Sequence, residues 1–546
     1  MYLDQTIGQL LKEKAQRLSG NEAVVYSEEG IRHTYEEFYE LTGQVAKALM
    51  ALGVQKGDHI AAWSTNRFEW LLLQFGSARM GAVLVTVNTN YQKSELEYLL
   101  KQSDTTILFM MDKFRDTSYF EIVQSIVGTT GNNGQVKSNS LPKLKQLVFM
   151  EENEATGLLS WESFIKLGES ITDNELSERE NTLDPHDVIN MQYTSGTTGF
   201  PKGVMLTHHN IVNNGYQVAT AMNLSEKDRL CIPVPFFHCF GCVLGVLACV
   251  SVGATMVPII QFDPELVLKT VEKEKCTGLH GVPTMFIAEL NLDSFNVYDL
   301  STLRTGIMAG SPCPIEVMKK VMNLMGMDEI TIAYGQTESS PVITQTRTDD
   351  PIERRVETVG KKHPIVEVKI VDPVTGKEVP TGEPGELCTR GYLVMKGYYN
   401  MPEATAKAID SDGWLHTGDL ATIDEEGYVK ITGRLKDMII RGGENIYPRE
   451  IEEFLYTNPS IVDVQVIGVP DEKYGEKVAA CVQIKEGESV TEEEIRSYCE
   501  GKIARYKIPE YIFFVDGYPM TASGKIQKYK LRKLAEELKE KSVKII

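Results

Sequence analysis

Apolar residues recur at helical spacing from Tyr35 to Leu52, and Gly53 follows as a stop signal. His59-Ile-Ala-Ala-Trp63 then reads as a short buried strand. A second helical stretch runs from Phe68 to Met80, and after Gly81 the apolar run Ala82-Val-Leu-Val-Thr-Val87 predicts another strand. Helices alternating with unbroken apolar strands predict parallel sheets joined by helical crossovers. Similar units recur to about residue 335. The segment from Gly128 to Ser140 is polar and rich in Gly, Asn and Ser, which predicts a surface loop. The N-terminal stretch from Met1 to Lys12 reads as an amphipathic helix.

The texture changes after Val359. Val366-Glu-Val-Lys-Ile-Val371, Gly385-Glu-Leu-Cys-Thr-Arg390 and Gly427-Tyr-Val-Lys-Ile-Thr432 are short alternating strands between Gly, Pro and Asp turns. It changes again near Gly433. Beyond it the pattern predicts a helix from Pro448 to Leu455, strands at Ile461–Ile467 and Val478–Ile484, and a helix from Thr491 to Lys502. The chain is therefore expected to be of α/β class. Residues 1-433 would form a large N-terminal domain of two αβ layered subdomains plus a β subdomain. Residues 437-546 would form a small α+β C-terminal domain, with a hinge at 434-436.

Composition narrows the partners. At 546 residues the chain is too long for one ordinary core. A formal net charge of −20 repels phosphate backbones and anionic membranes, so no nucleic-acid partner is expected. Nine cysteines over this length do not form a secreted disulfide framework, and no signal peptide is evident, so a cytoplasmic protein is expected. Cys242 to Ile260 carries no charge, but Gly245, Ser251, Gly253, Thr255 and Pro258 interrupt it. It reads as a buried helix followed by a buried strand, with no stable membrane insertion. The lysine-rich run from Lys528 to Lys544 includes Glu536, Glu537 and Glu540 and reads as a solvated helix.

The candidate chemistry begins at Tyr193-Thr-Ser-Gly-Thr-Thr-Gly-Phe-Pro-Lys-Gly203. Three glycines, four serine and threonine hydroxyls and a lysine suit a backbone cradle for phosphate, and the spacing is not that of a Walker A loop. Four further strings occur downstream: Tyr334-Gly-Gln-Thr-Glu338, Trp414-Leu-His-Thr-Gly-Asp419, Gly433-Arg-Leu-Lys-Asp437 and Met520-Thr-Ala-Ser-Gly-Lys525. Together, and in this order, they resemble the signature motifs of the adenylate-forming (AMP-binding) superfamily, with details closest to bacterial medium-chain fatty acyl-CoA synthetases.

That resemblance implies an acid-thiol ligase. A carboxylic acid and ATP would give acyl-AMP and pyrophosphate, and coenzyme A would then give acyl-CoA and AMP. It implies that Thr194, Ser195, Gly196, Thr197, Thr198, Gly199 and Lys202 hold the β/γ-phosphates. Gly310 and Ser311 would edge the adenine pocket, and Tyr334, followed by Gly335, would stack on adenine. Thr337 would contact the α-phosphate and Glu338 would ligate Mg2+. Asp419 and Arg434 would hold the ribose. Lys436 would be the pivot of a mobile C-terminal domain that delivers Lys525 in one pose and the Gly442-Gly443 loop, lining the pantetheine tunnel, in the other.

Pro233-Val-Pro-Phe-Phe-His238 resembles the segment beside the acyl carboxylate, with His238 near the α-phosphate. Phe236, Phe237, Gly241, Gly281, Val282 and Met308 are candidates to line an apolar tunnel. Cys239 and Cys242 form a C-x-x-C with no second pair at metal spacing, and read as small buried fillers. Phe-Phe-His where amino-acid-selecting relatives have an aspartate points to a fatty or related acid. A stand-alone enzyme loading an acyl carrier protein and a short keto-acid CoA ligase stay open, as do monomer and homodimer.

Overall fold

The computed structural model describes residues 2–128, 130–151, 157–194, 201–311, 313–441, 444–471, 473–521 and 526–543. Among these, nine strands form one sheet in the order Lys361–Lys362, Val342–Gln345, Glu329–Gly335, Thr305–Met308, Gly278–Gly281, Arg229–Ile232, Thr255–Pro258, Glu22–Tyr26, Ile31–Thr34. Eight form a second sheet in the order Gly397–Tyr398, Lys202–Thr207, Val188–Thr194, Val83–Thr86, His59–Trp63, Ile107–Met110, Gln146–Phe149, Leu159–Ser160. The interior pairings of both are parallel, as the crossover pattern predicts. Antiparallel strands sit at their edges, where consecutive strands can close as hairpins.

The unbroken apolar strands are explained by what lies on each face. In His59–Trp63, Ile60 and Ala62 enter one core, while Ala61 and Trp63 enter another on the opposite face. Leu84 and its neighbours Val83 and Val85 divide in the same way, as do Leu230 and Cys231 of the other sheet. Side chains alternate across a strand, so a strand buried on both faces needs apolar residues at every position.

The uncharged stretch forms a helix over Phe240–Leu247, continued by Ala248–Val252, and then the strand Thr255–Pro258. Gly253 ends the helix with φ 85°, a conformation that glycine adopts without strain. No helix among the described residues is long and apolar enough to cross a membrane. The segment expected to be only a surface loop, Gly128 to Ser140, instead carries a short turn at Asn132–Gly134 and buries Val136. A bridge from Gln135 to Gln146 ties it to the second sheet. Periodicity over so few residues does not show this.

Val366–Val371, Gly385–Gly391, Leu415–Ile423 and Val429–Arg434 form the four-stranded antiparallel sheet expected of the β segment. Beyond it, Glu444–Ile446, Ile439–Arg441, Gly475–Ile484 and Ile461–Asp471 form the last sheet, to which Tyr511–Phe514 adds in parallel. Helix Pro448–Leu455 matches expectation; the next helix is shorter than predicted, spanning Glu492–Cys499. It follows Thr491, whose side chain accepts from Glu494 N while the Glu494 carboxylate accepts from Thr491 N.

One buried group opposes this packing. Glu289 on helix Pro283–Leu290 has no exposed surface, and neither carboxylate oxygen has a hydrogen-bond partner among the described residues. Burial raises its pKa well above the ordinary value of 4.5. A raised folded pKa means the unfolded chain gives up this proton first, so the group lowers stability increasingly as pH rises above that ordinary value. Glu289→Met is expected to stabilise the fold by about 1–3 kcal/mol near neutral pH, the typical cost of an unsatisfied buried polar group. Thermal unfolding at about pH 5 and about pH 8 checks this: the advantage should be larger at the higher pH.

Candidate active site

The glycine-rich string lies between two paired strands. Val188–Thr194 pairs antiparallel with Lys202–Thr207, placing Thr194 opposite Lys202 and Tyr193 opposite Gly203. Ser195, Gly196, Thr197, Thr198 and Gly199 lie outside the described residues, but the two ends of the loop are fixed by this register. The helix His208–Ala221 then begins directly after strand Lys202–Thr207, capped by Thr207.

Lys202 leads to a residue that sequence reading did not single out. Its Nζ lies 4.7 Å from the centroid of the Tyr398 ring. Tyr398 is buried on the short strand Gly397–Tyr398, which pairs antiparallel with Lys202–Thr207 and puts Tyr398 opposite Val204. Its hydroxyl donates to Glu338 Oε1 at 2.8 Å. Burial, and then the Glu338 charge, raise the phenol's pKa, so it stays a donor. In the sequence only a Gly-Tyr pair marks this position; the pairing of a two-residue strand has no periodic signal.

Glu338 and Thr337 sit in a short turn, Thr337–Ser339, directly after strand Glu329–Gly335. Thr337 is buried, Glu338 is half-buried, and the Glu338 carbonyl accepts from Met395 N at 2.9 Å. Gly335 is required here: a Cβ would meet the Pro341 carbonyl oxygen at 1.8 Å. At the strand's end, the Tyr334 hydroxyl donates to Asp419 Oδ2 at 2.8 Å. Asp419 Oδ1 lies 3.1 Å from Arg434 Nε, and the two residues are direct cross-strand partners. Burial, and then Asp419, push the Tyr334 phenol far up, while the Asp419 charge raises the Arg434 guanidinium further. Thr194, Lys202, Glu338, Tyr334, Asp419 and Arg434 are thereby linked through Tyr398 and one turn.

Gly310 and Ser311 follow strand Thr305–Met308, which lies parallel to Glu329–Gly335 with Met308 opposite Ile332. They thus share the carboxyl edge with Tyr334, where open α/β sheets bind ligands. Gly310 has φ 90°. His238 follows strand Arg229–Ile232, and its Nδ1 accepts from Phe240 N at 3.2 Å. A neutral ring held in this way carries its proton on Nε2. The residues after it reach the strand of Thr194: Cys239 Sγ donates to Gln192 Oε1 at 3.0 Å, and Gln192 Nε2 donates to Cys242 Sγ at 3.2 Å. The C-x-x-C is thus tied to the strand that ends at Thr194, and burial pushes the Cys242 thiol up to about 12.

Phe236, Phe237, Gly241, Val282 and Met308 are all buried, as is Gly281, where a Cβ would come within 2.8 Å of Phe286. His280 beside it is a packed core residue. Burial lowers it to about 4, and its two nitrogens meet Leu244 O and Ile307 N.

Lys436 is exposed, and partial burial of its ammonium, then the nearby Arg434, lower its pKa. Leu435 N donates to Gly418 O on one side of it, and Arg532 contacts Lys436 O and Asp437 Oδ1 on the other. Gly442, Gly443 and Lys525 lie outside the described residues.

This arrangement has known counterparts. Residues 11–399 match the model of the AMP-binding enzyme family, and residues 450–525 match that of the AMP-binding enzyme C-terminal domain. The chain belongs to the AMP-binding enzyme family. It is 62% identical to YngI of Bacillus subtilis (strain 168), provisionally named an acyl-CoA synthetase, over 98% of both chains. It is 44% identical to the mitochondrial medium-chain acyl-CoA ligase ACSF2 of Danio rerio, over 97% of this chain and 88% of that one. Among solved structures it resembles the anthranilate CoA ligase AuaEII in complex with anthranoyl-AMP, with a TM-score of 0.85 and 28% identity over 98% of both chains.

The Lys202–Tyr398–Glu338 link makes a separable prediction. Tyr398→Phe keeps the ring against Lys202 and removes only the donor to Glu338; Tyr398→Leu removes both. The leucine variant should bind ATP more weakly than the phenylalanine variant by about 0.5–2 kcal/mol, the range of a cation–π contact. Calorimetric titration of ATP, with unfolding midpoints as the folding control, checks it. Equal affinities would show that the ring contact contributes nothing.

Proposed function

We propose that this chain is an ATP-dependent acyl-CoA ligase whose acid is a medium-length or longer fatty acid. The acyl-CoA ligase class follows from the family and from relatives that cover nearly the whole chain. The medium-chain names among those relatives favour the chain length. The observation that carries the site assignment is the connected set Thr194, Lys202, Tyr398, Glu338, Tyr334, Asp419 and Arg434, which links strands of three sheets.

In this reading a carboxylate oxygen of the acid attacks the α-phosphorus of ATP, and pyrophosphate leaves. The sulfur of coenzyme A then attacks the acyl carbon, and AMP leaves with its electron pair. Lys202, Thr194 and the loop from Ser195 to Gly199 hold the β/γ-phosphates. Thr337 meets the α-phosphate. Tyr334, with Gly310 and Ser311, borders adenine, and Asp419 with Arg434 receives the ribose hydroxyls. His238 offers its Nε2–H to the oxygens of the reacting carboxylate or α-phosphate.

Glu338 is a half-buried oxygen donor with one oxygen held by Tyr398, which suits the hard cation Mg2+. When bound, Mg2+ would offset the charge of the phosphates. Residues 1-433 act as the adenylation domain. Residues 437-546 pivot about Lys436 to bring first Lys525 and then Gly442 and Gly443 to the acid and to coenzyme A. Nine cysteines, all buried and free in the structure, suit a reducing cytoplasm.

Pyrophosphate release, measured with ATP, Mg2+ and a panel of carboxylic acids with and without coenzyme A, tests this function. The expected result is acyl-CoA formation with medium-length acids. Adenylation that coenzyme A cannot convert to thioester would overturn the reading. Lys525→Ala should lower the adenylation rate by about 10²–10³-fold, the typical cost of one lost charge-stabilising donor. Thioester formation from supplied acyl-adenylate should survive. Equal loss of both half-reactions would rule out a pivot that swaps the two poses.

A further inference from the structure

A second constellation lies on the four-stranded sheet, in side chains the nucleotide reading does not use. Gly385–Gly391 runs antiparallel to Leu415–Ile423, with Cys388 directly opposite His416 and an irregular register between Glu386 and Cys388. Residues two apart on a strand share a face, and so do direct cross-strand partners. Glu386, Cys388 and His416 therefore converge. His416 Nδ1 lies 2.9 Å from Glu386 Oε2 and 3.4 Å from Cys388 Sγ, and one donor atom from each residue lies within 4.8 Å of the others. Cys388 is buried, while the Glu386 and His416 side chains are 12% and 32% exposed, which leaves an approach from solvent past the imidazole.

The surroundings orient each donor. His416 Nε2 faces Asp410 Oδ2 at 3.7 Å, so a carboxylate stands against the imidazole nitrogen remote from the cluster. Metal-ligating histidines are typically oriented in this way. The other oxygen of Glu386, Oε1, accepts from Gly418 N at 3.0 Å, which fixes the carboxylate plane. Thiolate, imidazole and carboxylate together favour a borderline-soft ion over Mg2+. Bonds of about 2.0–2.3 Å to a tetrahedral Zn2+ place ligand atoms roughly 3.3–3.7 Å apart, so the observed separations need to open by less than about 1 Å.

We propose that Glu386, Cys388 and His416 bind one thiophilic divalent cation of the Zn2+ class, with water completing the coordination and Asp410 orienting His416. On binding, the Cys388 thiol gives up its proton to solvent as the metal–sulfur bond forms, while His416 binds through the Nδ1 lone pair and keeps its N–H on Nε2 toward Asp410, with no change of oxidation state. Through Glu386 and Gly418 the ion would brace the strand that carries Thr417 and Asp419. The proposal does not depend on any role assigned to the nucleotide-site residues.

Cobalt(II) provides the test, because a thiolate ligand gives a charge-transfer absorption that oxygen and nitrogen ligands do not. The full chain, stripped with a chelator, should develop this band up to one equivalent of Co2+, and Zn2+ should abolish it while excess Mg2+ does not. Cys388→Ser should lose the band while keeping the metal-free unfolding midpoint. His416→Gln should weaken the binding as well. Asp410→Asn should keep the band and weaken Co2+ binding by about 10–100-fold, the usual cost of losing an orienting partner. A second three-residue cluster among the described residues, Asp4, His186 and His209, contains no thiol and cannot give this signal. Absence of the band at stoichiometric Co2+, or its survival in Cys388→Ser, would overturn the proposal.

Discussion

The carboxylate of Asp419 is buried, and a buried charge is tolerated only where it is paired and hydrogen-bonded. Both requirements are met from outside its own strand. Tyr334 donates from the end of the nine-stranded sheet, and Arg434 pairs from the neighbouring strand of the four-stranded sheet. Removing either partner would leave charge in a poorly solvated place, which is far more costly than losing an exposed ion pair. The contact therefore fixes how two sheets meet, and it does so where three of the sequence motifs converge. Arg434 is also the first residue of the segment leading to Lys436, so the same pair borders the proposed pivot.

Two strands at the opposite edge perform a similar function. The hairpin register sets Thr194 against Lys202, and backbone bonds from Lys396 to Met205 and from Tyr399 to Gly203 clip the strand of Tyr398 alongside. Tyr398 is therefore placed by backbone pairing before its side chain meets Lys202 or Glu338. Its ring meets a cation and its hydroxyl meets an anion. One buried side chain thus keeps a lysine and a glutamate in a common neighbourhood without letting them neutralise each other directly. In a chain with net charge −20, local placement of this kind is how a cleft can offer positive charge to a polyphosphate, the role proposed for Lys202.

Much of this was legible in the sequence, and the limits are physical. Helix Tyr35–Ala51 and strand His59–Trp63 follow from periodicity because each has a face, or both faces, against a core. Tyr334 and Asp419 were found because they sit in strings with distinctive glycines. Tyr398 was not, since its importance arises from pairing with a strand nearly two hundred residues earlier. Cys239 and Cys242 read in the sequence as small buried fillers, and both are buried. Their tie to Gln192 adds a function that composition does not reveal, because it needs two strands brought side by side. Glu386, Cys388 and His416 are separated by up to thirty positions, and only the register of two strands makes them neighbours.

The segment around Lys436 contrasts with these fixed edges. Among the described residues its attachments include the backbone bond from Leu435 to Gly418 and the contacts of Arg532 with Lys436 and Asp437, with the Lys436 side chain itself exposed. The Arg532–Asp437 pair is part-buried, with side chains 28% and 16% exposed, so it costs more to exchange for water than an exposed pair would. Arg449 Nη1 also donates to Ile431 O across the same boundary. The proposed rotation of the last hundred or so residues about Lys436 would have to exchange these contacts, while the Tyr334–Asp419 and Tyr398–Glu338 hydrogen bonds, which use none of the moving residues, would stay in place.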